Sequence, residues 1–153
     1  MSQLLVPLVL VMNGLAGGVL VGTQLGGWPL LESLPADRYV QAHAFFSTRF
    51  DPFMPGCLVG TVVGDVLLGF TASSMVVGAL FLVAGAAALG SVAISIARNV
   101  PANRWIRTLD PAALPADFAK RDPRRSWGSW NRARTGLVVL ALLVNCAAVG
   151  LLL

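Results

Sequence analysis

Charge, histidine, cysteine and tyrosine are all scarce in this chain. Only 12% of its 153 residues are charged while 56% are apolar, and the mean hydropathy is +0.76. A soluble domain carries about a quarter of its residues as charges, so that class is excluded and a bilayer is the expected solvent. One histidine and two distant cysteines fall short of the roughly four N, S or O ligands of a zinc site, so no metal site is expected. A single histidine, His43, suffices only as one axial ligand of a haem. Cys57, near one end of an apolar run, and Cys146, in the middle of another, are separated in a way that disfavours a disulfide. The glycines lie inside apolar runs, without the strand and turn that a phosphate-binding loop requires. No Lys or Arg precedes the first apolar run, and that run exceeds the roughly 7 to 15 residues of a signal core, so it is read as a permanent helix.

What is present is a set of four uncharged or nearly uncharged runs, each close to the about 20 residues that a spanning helix needs. They cover residues 4–24, 55–72, 74–97 and 135–153, and only Asp65 interrupts them with an acid. The expectation is an all-α membrane protein, a single domain over 1–153 built as a four-transmembrane-helix bundle. With four spans, the loop 25–54 and the loop 98–134 share a side. Arg38 and Arg49 lie in the first, the other nine Lys and Arg in the second, and none lies on the opposite face. The positive-inside rule makes both loops cytoplasmic and puts both termini on the other side. Trp28, Tyr39, Trp105, Trp127 and Trp130 gather on the same side, where aromatic rings settle at a membrane interface. The pI near 10.0 is then a topology signal directed at the lipid bilayer, and nucleic acid is not an expected partner.

Two glycine stripes mark packing surfaces: Gly14, Gly18, Gly22 and Gly26, and Gly56, Gly60 and Gly64. Small residues at this spacing let helix backbones approach closely, so spans one and two are expected to touch; the same stripes would equally serve a homo-oligomer. Residues 35–50 have the spacing of an amphipathic interfacial helix in the first cytoplasmic loop, with Tyr39, Val40, Phe46 and Phe50 on its apolar side and Arg38, Gln41 and Arg49 elsewhere. His43 shares that apolar side. It either satisfies a hydrogen bond in the interfacial layer or serves as a general base, since a partly desolvated histidine titrates near neutral pH.

In the second loop, Pro101 is expected to end or kink span three. Asn99 and Asn103 stand beside it, as caps for exposed carbonyls or as donors to a ligand. Residues 110–123, rich in Pro and charge, read as an exposed loop. Trp127 and Trp130, three apart on a helix, serve as interface anchors or as an aromatic wall for a flat ligand, with Arg134 close by. Deeper in the spans lie Asn13, Asp65 and Asn145. Asp65 hydrogen-bonded to Asn13 or Asn145 would hold the bundle together; the alternative roles are a proton relay or a ligand contact.

Taken together, Arg38-Tyr39-Val40 followed by His43, the run Phe50-Asp51-Pro52-Phe53-Met54-Pro55, Asn99-Val100-Pro101-Ala102-Asn103, and Trp130-Asn131-Arg132-Ala133-Arg134-Thr135 resemble the anthrone-oxygenase-like family of small four-helix membrane proteins. The resemblance spans nearly the whole chain. It implies a membrane oxygenase that oxidises an anthrone or another polycyclic phenolic substrate with O2. An anthrone's central methylene loses a proton to give an electron-rich anion that oxygen oxidises without a metal, so no cofactor is firmly implied. The resemblance gives His43 the role of base, Asn99 and Asn103 that of oxyanion donors with Arg134 at longer range, and Tyr39, Trp127 and Trp130 the contact with a hydrophobic aromatic molecule. A mechanism built on two histidines is excluded, since this chain carries Asn131 and Arg132 where a second one is common in the family. The competing reading is a non-enzymatic membrane protein that binds a small hydrophobic molecule or assembles with a partner subunit, in which Asp65 and the glycine faces matter and His43 does not.

Overall fold

The structure, a computed structural model, describes residues 2–152. Among them there is no strand. Four helical rods are long and apolar enough to cross a membrane: Leu4–Ser33, Phe53–Thr71, Met75–Ile106 and Phe118–Gly150. Each is built from named pieces. The first joins α1 (Ser2–Gly22), a π-helical turn (Thr23–Gly27) and α2 (Trp28–Ser33). An amphipathic helix α3 (Ala36–Arg49) leads to the second rod, α4 (Phe53–Thr71). The third joins α5 (Met75–Ile94), a second π-helical turn (Ser95–Asn99) and α6 (Val100–Ile106). A short α7 (Phe118–Arg121) precedes the long α8 (Arg124–Gly150).

Three of these rods outrun the expected spans. Span one continues past Gln24 to Ser33, span three past Ala97 to Ile106, and span four begins at Arg124 rather than Thr135; its last expected residue, Leu153, lies outside the described residues. Much of the expected loop 98–134 is therefore helical. Pro101 neither ends nor breaks its rod. The π-helical turns explain why: Pro29 and Pro101 each follow one, and in both turns a wider loop closes, from the N–H of Trp28 to the carbonyl of Thr23 and from that of Val100 to Ser95. Widening the helix by one residue relieves the clash between a proline ring and the carbonyl four residues back.

In the bundle, α1 packs against α4 and α8, and α5 against α4 and α8, so the four rods form a ring. Leu4, Phe70, Met75 and Leu143 are exposed outward, as helices facing lipid require. Buried hydroxyls such as Thr61 and Thr135 bond to the carbonyl four residues back, at 2.9 and 2.7 Å, and so need no water. Small residues, Ala84, Ala87, Ala88 and Ala141, fill the contact between α5 and α8.

The rods extend beyond the bundle at one end, where α2, α3, α6, α7 and the start of α8 enclose a second core of Trp28, Leu31, Tyr39, Val40, Ile106, Phe118 and Trp127. This head corrects one expectation, since Trp28, Tyr39 and Trp127 are buried inside the protein rather than turned to the lipid interface. Phe118 likewise removes residues 110–123 from the class of fully exposed loops. Helix α3 begins with Asp37 in its first turn and ends with Arg49 in its last, both favourable to the helix dipole. Its buried face is Tyr39, Val40 and His43; Phe46 and Phe50 are more exposed than the amphipathic pattern implies. Arg124 ties the head together, donating to Asp122 at 2.6 and 2.8 Å and to the carbonyl of Leu34 at 2.7 Å, with its guanidinium 4.8 Å from the centre of the Tyr39 ring.

Candidate functional site

Where the head meets the bundle, the rods enclose a cavity of about 770 Å³, within the range of small-molecule sites. One wall is the glycine stripe of the first rod. Gly18, Gly22 and Gly26 line the cavity, and a Cβ added at any of them would meet nothing within 4 Å. The stripe expected to seat span one against span two therefore does something else. That contact exists but is made by Gly60 and Gly64 of α4, which receive the side chains of Met12 and Val9.

Of the expected site residues, His43, Asn103, Trp127 and Arg134 line this cavity. They are connected. The indole N–H of Trp127 donates to Asn103 Oδ1 at 2.7 Å, and the same oxygen lies 2.9 Å from His43 Nε2. An indole nitrogen only donates, which fixes the orientation of the Asn103 amide. An amide oxygen only accepts, so Nε2 of a neutral His43 must carry the proton. Its basic lone pair is then on Nδ1, which is buried without a partner. The imidazole makes T-shaped contacts with Tyr39 and Trp127, with ring centres 5.3 and 5.2 Å apart. Burial pushes the His43 pKa below its ordinary 6.5, opposed by the hydrogen bond to Asn103, so the ring is a neutral base at pH 7. The Nδ2 group of Asn103 makes no hydrogen bond among the described residues and remains a free donor beside the cavity.

Trp127 is itself fixed by stacking on Trp28, with ring centres 5.0 Å apart. The stack depends on Gly128, where any Cβ would run into the Trp28 ring. Beyond Trp127 lies Arg134, only 7% exposed. Its Nε and Nη2 donate to Asn131 Oδ1 at 3.1 and 2.8 Å and its Nη1 to Ser95 Oγ at 3.0 Å, while Asn131 donates in turn to Gln24 at 2.9 Å. Gln24, Ser95 and Asn131 were not singled out from sequence. The available signal was a polar residue at or within two residues of the end of spans one and three, and an Asn three residues before an Arg on one helix.

Three expected site residues are placed elsewhere. Asn99 is buried and donates to the carbonyl of Trp127 at 3.3 Å, a structural bond behind the cavity wall. Tyr39 stands behind His43, and burial followed by the charge of Asp122 raises its pKa, so its hydroxyl stays protonated. Trp130 carries the Arg98 guanidinium on its ring, 4.9 Å from the centre, away from the cavity. The mid-span residues form separate contacts. Asn145 donates to Asp65 at 3.3 Å. Asn13 pairs with the α8 backbone instead, its amide nitrogen with the Val138 carbonyl at 3.2 Å and its oxygen with the Leu142 N–H at 3.3 Å.

No three His, Cys, Asp or Glu side chains among the described residues cluster as metal ligands do. A haem on His43 would bind through Nδ1, since Nε2 is held by Asn103.

Compared with known proteins, residues 43–144 match the family model described as anthrone oxygenase, a stretch of about two thirds of the chain that includes His43, Asn103, Trp127 and Arg134. Neither a curated protein nor a solved structure matches the chain.

Proposed function

The chain belongs to the anthrone oxygenase family, and from that membership we propose that it is a membrane oxygenase that converts an anthrone-like polycyclic phenol to its quinone with O2. The observation that carries the reading is the basic Nδ1 of His43, buried without a partner in a ring that lines an apolar cavity. The substrate lies in the apolar cavity that Trp127 helps to line. His43 takes a proton from the central methylene, and the electron pair is delocalised through the aromatic ring onto the carbonyl oxygen across the central ring. Asn103 Nδ2 donates to that oxyanion as its charge develops. The anion then reduces O2; one oxygen atom becomes the new carbonyl and the other leaves as water, so the methylene loses two hydrogens and gains one oxygen. No cofactor is assigned. Sidedness follows from charge, with the head cytoplasmic because it carries the Lys and Arg residues.

The test is oxygen uptake by purified protein with emodin anthrone above the uncatalysed background. Wild type should accelerate uptake and His43→Ala should lose at least the 10²-fold typical of a general base. Acceleration that survives the substitution removes the base. No acceleration by wild type favours a carrier that uses the same cavity without chemistry.

A further inference from the structure

Arg134 is a buried cation with only neutral partners. Among the described residues the side-chain ion pairs are Arg121 with Asp117 and Arg124 with Asp122, and Arg134 takes part in neither. Three of its five N–H groups are spent on the oxygens of Asn131 and Ser95. Those two residues hold the guanidinium in place without neutralising it, and Gln24 holds Asn131. Burying a charge away from water is costly unless an opposite charge joins it. Its surroundings are also aromatic, with the guanidinium carbon 5.7 Å from the centre of the Trp127 ring. The other titratable groups on the cavity wall are His43, neutral at pH 7, and Asp51, which is exposed.

We propose that the cavity selects a flat aromatic that carries a negative charge, a carboxylate or an ionised phenol, seated along Trp127 with its anionic group on Arg134. This deepens the reading of the cavity as a ligand site by fixing the charge of the ligand. A planar guanidinium with two N–H groups left over suits an anionic oxygen better than a neutral one. The apolar body of such a ligand is matched by the apolar lining, where Gly18, Gly22 and Gly26 leave room for a ring without a side chain in the way.

The experiment is a charge series in wild type, reconstituted in zwitterionic nanodiscs at pH 7.5. The probes are 2-naphthoate, 2-naphthamide and 2-naphthylmethylammonium, read by quenching of tryptophan fluorescence against empty nanodiscs. Naphthoate should bind at least tenfold more tightly than the amide, and the ammonium more weakly than either. Arg134→Met should erase the difference between naphthoate and amide while the amide changes less than about threefold; Arg134→Lys should retain part of it. Because Arg134→Met risks misfolding, the wild-type series alone decides. Equal or tighter binding of the amide overturns the proposal, as does failure of all three probes to bind. Loss of naphthoate binding when phosphatidylglycerol replaces part of the zwitterionic lipid also overturns it, since a lipid headgroup would then own the site. A naphthoate preference without anthrone-dependent oxygen uptake keeps the anion site and rejects the oxygenase reading.

Discussion

Glycine plays opposite parts in the two halves of this bundle. Away from the head, Gly64, Gly69, Gly78 and Gly85 bring helices together: Gly64 accepts Val9, Gly78 lies against the carbonyl of Gly69, and Gly85 faces Asp65. Toward the head, Gly18, Gly22 and Gly26 keep space open, because the helix across from them never closes in. One residue type thus makes close helix contacts in one half and borders a cavity in the other. The difference lies in what the facing rod does. Rods α4 and α5 are joined by a short turn and cannot separate near it, whereas at the other end the cavity lies between the bundle and the head's aromatic core.

That contrast is open to direct attack. Gly78→Leu should have the largest effect, because its Cβ would strike the backbone of Gly69, 2.7 Å away. A cost of about 3 kcal/mol is expected, read as a lower midpoint in detergent-mediated unfolding. Gly22→Leu should do the reverse. Its stability should stay within about 0.5 kcal/mol of wild type, as for a residue with open space before it, while oxygen uptake with emodin anthrone falls at least tenfold. Equal destabilisation by the two substitutions would erase the distinction between the halves.

The cavity half should also own the pH dependence. Since burial lowers the His43 pKa, the acid limb of kcat/KM should have its midpoint below 6.5. On unfolding, His43 regains its ordinary affinity for a proton, so the unfolded chain binds more protons and stability should decline as pH falls through about 6.5. Asn103→Asp puts a negative charge beside Nε2 and should move the acid limb upward, whereas Asn103→Leu removes a stabilising bond and should move it further down. An unmoved limb in both variants would detach His43 from Asn103. The smallest effect is expected from Asp65→Asn in the closed half. It keeps a hydrogen-bonding partner for Asn145, so stability should shift by no more than about 1 kcal/mol and naphthoate affinity not at all. A change in that affinity would mean that the two halves communicate.

Four spans, their common charged side and the burial of His43 on the apolar face of its helix were legible because hydropathy, charge and helical spacing are local properties. Residues that act through distant partners were not. Gly22 and Gly60 carry the same stripe signature, and only the facing rod decides that one borders a cavity while the other receives Met12. Asn99 and Asn103, one turn apart, looked alike; the first turns to the Trp127 backbone and the second to its indole. The ends of the rods were misjudged for a different reason. Pro101 signals a break only in an α-helix, and sequence gave no warning that a π-helical turn would absorb it.

Each π-helical turn adds one residue to its rod, and in an α-helix one residue is about 100° of rotation. Everything beyond Gly27 or Asn99 therefore points about 100° away from where an uninterrupted helix would aim it. Trp28 meets Trp127, and Asn103 meets His43, only in that shifted phase. Removing a single residue from Thr23–Gly27 or Ser95–Asn99 would restore the unshifted phase and swing one side of the site out of place, with no side chain in the site altered. For the head of this protein a change in chain length by one is the harsher mutation, and a substitution the gentler.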